Sequence, residues 1–361
     1  MDQQTKRPER KYFAASNSAN GFVNYYGECF GAAARVERLY VVKGGPGTGK
    51  SRFMRDVAAA AEERGYEAEY YYCSSDANSL DGVRLTWNGS QYRRVGVIDG
   101  TAPHAWEPSL PGVREEIVNL GDFWDSRLLQ TNAVRIGHLN RLKKQCYDLA
   151  YHYLHGCGDM ARVRDSLMEP CVLHSKIDAL AERILRSQPK GGGFYAEPAL
   201  QNGVGMMGQA HFDTFAREAT VLYRMDPYYG VEYRITAALL QRSEEKQLSV
   251  KVSRDPVCPW RVDGLFWPDS GLSVIVAPDG EDMPHHRHIY LNHFVDGELL
   301  RGLRHDIRYA GATGKRLMEG ACNCLDRAAG YHFELEDIYA SAMAFGKKEA
   351  FTRAFCNEIL G

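Results

Sequence analysis

Long apolar runs are missing from this sequence. No stretch approaches the roughly 20 residues that a membrane-spanning helix needs, which excludes a helical membrane protein. The opening MDQQTKRPERK is polar and has no apolar h-region, so it does not read as a secretory signal; residues 1–11 are expected to form a flexible leader. An excess of one charge is missing as well. The 44 Lys and Arg nearly balance the 46 Asp and Glu, a net charge of −2, which argues against general binding to nucleic acid or to an acidic membrane surface. Cysteine pairing is missing too. The nine cysteines are an odd number with no CxxC spacing, and only Cys322 and Cys324 lie close together, in a segment of helical character. That usage suits reduced thiols and a cytoplasmic setting better than a disulfide framework. What remains is a soluble globular chain. Its 361 residues suggest two domains, and a hydrophobic content of 44% is enough for real cores.

One stretch carries chemistry openly. In RVERLYVVKGGPGTGKSRFMRDVAAAAEERG (35–65), the β-branched run RLYVV predicts a buried strand, and RFMRDVAAAAEERG predicts a helix that stops at Gly65. Between them, GGPGTGKS matches G-x-x-x-x-G-K-[ST] at Gly44, Gly49, Lys50 and Ser51. The glycines let successive backbone N–H groups converge on a phosphate, and the following helix adds the positive end of its dipole. Gly44, Gly45, Pro46, Gly47, Thr48, Gly49, Lys50, Ser51 and Arg52 are therefore the candidate phosphate-binding residues. Lys50 is expected to reach the β- and γ-phosphates as a point charge, and Ser51 to offer a hydroxyl to Mg²⁺.

Residues 35–65 resemble the Walker A unit of P-loop NTPases. KYFAASNSANGFVN, CSSDANSLDGV and VGVIDGTAPHAWEP carry a wider resemblance, to a bacterial family of tandem P-loop proteins described as ATPases or nucleotide-binding proteins. That resemblance implies an α/β fold of tandem P-loop NTPase-like domains, with mostly parallel sheets flanked by helices. It implies no particular substrate.

The next segments supply candidate acids. YEAEYYYC (66–73) alternates and predicts a second strand, followed by the polar, turn-rich SSDANSLDG (74–82). Loops of this kind line the ligand crevice at the carboxyl ends of strands in doubly wound sheets. Asp76 and Asp81 are thus candidates for substrate contact or general-base catalysis, with turn or helix capping as the plain alternative. RRVGVIDGTAPH (93–104) reads as a buried strand ending in an acid. Asp99 looks like a Walker B aspartate, expected to hold Mg²⁺ together with Ser51. No Glu follows Asp99, which weakens a motor-ATPase reading and favours the kinase and GTPase division. Glu107 and His104 are candidates to act on a water or a hydroxyl, His104 equally as a structural loop residue. HSKID (174–178) is similar to a guanine-specificity pattern, but the apolar spacing around it is helical, so ATP is the expected nucleotide.

The chain also matches itself in order. YFAASNSANGF (12–22) aligns with FYAEPALQNGV (194–204), an offset of 194 − 12 = 182. RLYVV aligns with VLYRM (223 − 40 = 183), SLDGV with RVDGL (263 − 81 = 182), VGVID with LSVIV (276 − 99 = 177), and APH (102–104) with MPH (283–285) at 181. LKKQCYDLAYHYL (142–154) and GKRLMEGACNCLD (314–326) share helical character. RSQPKGGG (186–193) reads as a helix stop and linker, which places a joint near residue 190. The expected domains are 12–190, with a helical segment over roughly 113–186, and 191–361, with one over roughly 311–360. In this alignment Tyr233 falls on Lys50, Arg234 on Ser51, Glu232 on Gly49 and Val276 on Asp99. The second domain is therefore expected to be a degenerate copy, whose Tyr228 and Tyr229 suit an interface better than a phosphate. MPHHRHIYLNH (283–293) puts His286 and His288 on one face of a strand, with Glu281 and Asp282 as the nearby acids; a solvated loop or interface strand is the expected reading, ahead of a metal site.

The expected function is Mg²⁺-dependent ATP binding with slow hydrolysis, using Lys50, Asp99, Asp76 and Asp81. The alternatives are a small-molecule or nucleotide kinase, with Arg114, Arg127 and Arg135 as lid arginines, and a nucleotide-sensing scaffold. The two halves are expected to pair within the chain, which would offer Arg234 or another second-half arginine to the first site. A further small-molecule or protein partner has no signature in the sequence.

Overall fold

The computed structural model describes residues 8–360 apart from 90, 92, 190 and 278–285. In chain order its first elements are β1 (Arg10–Phe13), β2 (Ala15–Ser18), β3 (Gly21–Asn24), α1 (Tyr26–Phe30), β4 (Arg38–Lys43), α2 (Lys50–Glu63), β5 (Glu67–Tyr72), β6 (Leu80–Trp87), β7 (Arg93–Asp99) and β8 (Glu115–Asn119). Three helices come next: α3 (Ser126–Thr131), α4 (Ala133–Met168) and α5 (His174–Leu185). The chain continues with β9 (Ala196–Pro198), β10 (Asn202–Gly205), β11 (Gly208–His211), α6 (Thr214–Arg217), β12 (Val221–Met225), α7 (Val231–Glu245), β13 (Val250–Arg254), β14 (Val262–Trp267), β15 (Leu272–Val276) and β16 (Arg287–His288). It ends in α8 (Gly297–Ser341) and α9 (Phe345–Leu360).

Two compact units result. The first gathers residues up to 15, 24–147 and 325 onward; the second gathers 16–23 and 148–324. The first holds a six-stranded sheet in the order β1-β5-β6-β7-β4-β8, in which β6 runs against both its neighbours and the other pairs are parallel. The second holds β9-β13-β14-β15-β12-β16, with the same order and the same directions, β14 being the reversed strand. The architecture is therefore α/β, with two mostly parallel sheets in tandem.

Local sequence explains the central parts. Leu39, Tyr40, Val41 and Val42 are all buried, as a strand placed between two parallel neighbours requires. On α2, Phe53, Met54, Val57, Ala58 and Ala61 form the buried stripe of an amphipathic helix. Phe53 packs on Phe351 and Phe355 of α9, with ring centroids 6.2 and 5.2 Å apart. In the second unit, Val231, Ile235 and Leu239 of α7 share one core with Ile177, Leu180 and Ile184 of α5. HSKID is thus the first turn of a buried-faced helix.

The joint expected near residue 190 lies inside the second unit. The cause is length: α4 has 36 residues and α8 has 45, so they run about 54 and 68 Å, well beyond a small domain's diameter of about 30 Å. Each long helix delivers the next helix of the chain to a different core, so α5 joins the second unit and its counterpart α9 (345 − 174 = 171) joins the first. The segments expected to be wholly helical also differ. Residues 115–119 form β8, which closes the edge beside β4, and α8 begins at Gly297 rather than near 311. Asp81 lies in strand β6 rather than in the polar loop expected over 74–82.

Strand partners check the repeat residue by residue. Gly82 faces Ile98 and Gly264 faces Ile275, which keeps the offset 264 − 82 = 182. Val42 faces Asp99 and Met225 faces Val276, so Val276 stands where the first unit has Asp99. The first strand moves: Tyr70 and Val252 are equivalent through Val83 and Leu265, and they face Lys11 and Pro198, an offset of 198 − 11 = 187 rather than 182. The helix after the loop moves by one residue. The buried Phe53, Val57 and Ala61 coincide with Ile235, Leu239 and Ser243 at 182, which sets Lys50 on Glu232 and Ser51 on Tyr233. The second loop is one residue shorter than the first, and the ungapped alignment missed that deletion.

Candidate functional site

In the first unit the loop after β4 leads into α2 at Lys50. Gly49 caps the helix with φ +81° and Gly47 has φ +68°, a region where a side chain is strained. A Cβ at Gly47 would also lie 2.2 Å from the carbonyl oxygen of Glu336. Thr48 is buried and its Oγ1 donates to the Gly45 carbonyl at 2.9 Å, bracing the loop. Lys50 Nζ donates to the carbonyls of Gly44 (3.0 Å) and Gly45 (2.8 Å) and lies 3.5 Å from Asp99 Oδ2. Ser51 Oγ accepts from the Leu80 N–H at 2.9 Å, tying α2 to the start of β6. Arg52 turns to Asp56 on the outer face of the helix, with Nε 2.9 Å from Oδ1.

Beside the loop, Asp99 ends β7 and is buried; its Oδ1 accepts from the backbone N–H (2.9 Å) and hydroxyl (2.6 Å) of Thr101. Asp81 and His104 are buried next to it, with His104 Nε2 3.2 Å from Asp81 Oδ2 and Nδ1 3.1 Å from the Asp99 carbonyl. Both ring nitrogens face acceptors, which suits the doubly protonated ring. Burial opposes that charge, but the carboxylates of Asp81 and Asp99 override it and push the His104 pKa up to about 9. Tyr26 stacks on the imidazole, with centroids 5.1 Å apart and planes at 19°. Ligand atoms of Asp81, Asp99 and His104 lie within 4.8 Å of one another, the one such group of three among the described residues. Oxygen donors from Asp81, Asp99 and Ser51 match the preference of a hard divalent cation.

The other sequence candidates fall elsewhere. Asp76 Oδ1 accepts from the Asn78 N–H at 3.0 Å and closes a turn. Glu107 is exposed, 3.7 Å from Lys43 Nζ. Arg114 holds the carbonyls of Phe30 and Val36 and the carboxylate of Glu115, Arg135 pairs with Glu334, and Arg127 is exposed on α3. Arg234 bonds Glu169 and the Asp165 carbonyl within the second unit. His288 faces Asp226 at 3.5 Å, while Glu281, Asp282 and the MPH match lie outside the described residues.

Three charged residues near the loop have no local signature. Glu336 of α8 has its carboxyl held low first by His332, 3.6 Å away, and further by the Gly47 N–H and the charge of Lys50, against burial. Lys143 of α4 is partly buried; burial lowers its pKa, Glu336 and Cys73 raise it, and Lys50 lowers it again. Lys348 of α9 is buried, which lowers its pKa, and its Nζ is the atom that a Cβ at Gly49 would meet, at 3.3 Å. They come from two long helices and the last one, so nothing in their own neighbourhoods marks them.

The second unit treats its loop differently. Glu232 is almost fully buried, and its Oε2 accepts from the backbone N–H groups of Tyr228 (2.8 Å) and Gly230 (3.2 Å). Burial raises its pKa, and the Tyr228 N–H, its own N–H and the charges of Arg164 and Arg261 oppose the rise. A carboxylate of the chain itself thus occupies the loop amides. No family model, curated protein or solved structure matches this chain.

Proposed function

We propose that the first unit binds Mg²⁺-ATP on the loop Gly44–Ser51 and hydrolyses it slowly, as a P-loop ATPase. The observation that carries this reading is the position of Lys50: its ammonium is held by two loop carbonyls and faces a buried acid on the adjacent parallel strand. The left-handed Gly47 and Gly49 support it, because a glycine turn of that kind at a helix N-terminus suits backbone binding of an anion. Ser51 and Asp99 are the residues that would hold the cation, with Asp81 beside them; when bound, Mg²⁺ neutralises charge on the phosphates. Lys50 leaves the Gly44 and Gly45 carbonyls to meet phosphate oxygens. Glu336 is the chain's own competitor there, since its carboxylate shares the Gly47 N–H and the field of Lys50. His104, already charged, is suited to hold Asp81 in place rather than to take a proton.

Phosphoryl transfer to an acceptor hydroxyl is the second reading. It is favoured by Asp81, a buried acid beside Asp99, where no glutamate follows Asp99. Equilibrium binding of ATP with and without Mg²⁺, then phosphate release with and without candidate acceptors, tests both. Release from ATP alone supports the ATPase; release only with an acceptor supports transfer. Absence of Mg²⁺-dependent ATP binding at millimolar nucleotide would sink the proposal.

A further inference from the structure

The second unit contains a cleft of about 540 Å³, within the roughly 300–1,000 Å³ of small-molecule sites. It is lined by Pro227 after β12, Asp263 at the start of β14 and Val276 at the end of β15, the crevice position of a doubly wound sheet. Triphosphate is not its ligand, because Glu232 already fills the loop amides and Val276 replaces the acid.

Two residues of opposite charge line this cleft, and each carries a buried polar atom with no hydrogen-bond partner among the described residues. Asp263 is 8% exposed; its Oδ2 accepts from Asn202 Nδ2 at 2.7 Å, but Oδ1 is buried with no hydrogen-bond partner among the described residues. Burial pushes the Asp263 carboxyl up to about 6, against the bond from Asn202. Arg164 of α4 has a buried Nε without a hydrogen-bond partner among the described residues, and Lys315 of α8 adds an exposed ammonium. Met160 and Met318 contribute apolar surface. Buried donors and acceptors are almost always paired in folded proteins, and an unpaired one is unfavourable. One ligand that accepts at one end and donates at the other satisfies both.

We infer that this cleft binds a small organic anion carrying an amino or hydroxyl group, with the anionic end held by Arg164 and Lys315 and the donor on Asp263. The anionic end is a carboxylate or a single phosphate, and a titration with probes of each kind separates the two sources.

Calorimetric titration of the full chain with L-glutamate, O-phosphoserine and AMP, against the donor-less glutarate and propyl phosphate, tests this. At least one amino-bearing probe is expected to bind once per chain and about tenfold more tightly than its donor-less control. That binding should weaken about tenfold or more in Arg164→Gln and in Asp263→Asn, and be unchanged in Lys50→Ala. Lys315→Gln, at an exposed position, keeps the test valid should a buried variant fail to fold, and is also expected to weaken binding. The inference is overturned by saturation with none of the probes, by binding that Lys50→Ala abolishes, or by binding indifferent to Arg164→Gln and Lys315→Gln.

Discussion

The loop after β4 and the loop after β12 follow equivalent strands in sheets of the same order, yet they meet charge in opposite ways. In the first, Lys50 donates to the carbonyls of Gly44 and Gly45 and faces Asp99. In the second, the equivalent Glu232 turns back and takes the amides of Tyr228 and Gly230 for itself. A helix N-terminus favours a negative group wherever one is available. The second unit supplies that group covalently; on the proposed reading the first receives it from a nucleotide. Glu232 thereby satisfies amides of the second loop from within the chain.

The largest expected break in the comparison is Lys50→Ala, which should lower ATP turnover by roughly 10- to 150-fold, since a charge-assisted bond is worth roughly 1.5–3 kcal/mol. Glu232→Gln should leave turnover unchanged, and steady-state phosphate release from both variants decides whether the loops differ in function as they do in charge. Asp263→Asn comes next. Its carboxyl is raised from an ordinary 3.8 to about 6 by burial, so the folded chain binds the proton more tightly than the unfolded one. The resulting destabilisation is absent below about pH 3.8, grows as pH rises and is complete above about pH 6. Asp263→Asn should therefore stabilise the protein by on the order of 2–3 kcal/mol at pH 7.5 and flatten that part of its pH profile. Urea unfolding of both proteins from pH 4.5 to 7.5 would show this, and an equal slope in the two would refute it.

Glu232→Ala should destabilise by about 1–3 kcal/mol, because two backbone N–H groups lose a buried acceptor. Denaturation without loss of ATP binding is the expected pattern; an unchanged midpoint would mean that the amides find other partners. The smallest effect is expected at Glu336→Gln. Removing a half-exposed charge beside Gly47 should tighten ATP binding by about two- to fivefold, read by equilibrium titration. Weaker binding would instead make Glu336 a ligand-side residue.

Much of the first sheet was legible because its signals are local. RLYVV, the glycine loop and the helix that stops at Gly65 each specify their own geometry, and Asp99 is announced by a buried run ending in an acid. The repeat was legible where its strands keep one register, as at SLDGV and RVDGL. It drifted at β9 and α7, where insertions and a deletion in loops leave no trace in an ungapped alignment. Short strands such as β1, β8 and β16 gain their identity from the partner beside them rather than from their own residues.

The sequence by itself determined which loop carries a lysine at the head of its helix and which carries a glutamate, because loop chemistry and helix starts depend on residues a few positions apart. The tertiary structure alone decided that Asp81 and His104 stand beside Asp99, that Glu336 and Lys348 approach the loop, and that α5 and α9 serve opposite units. Those neighbours are separated by up to about 300 residues, and only the packing of long helices and paired strands brings them within reach of one another.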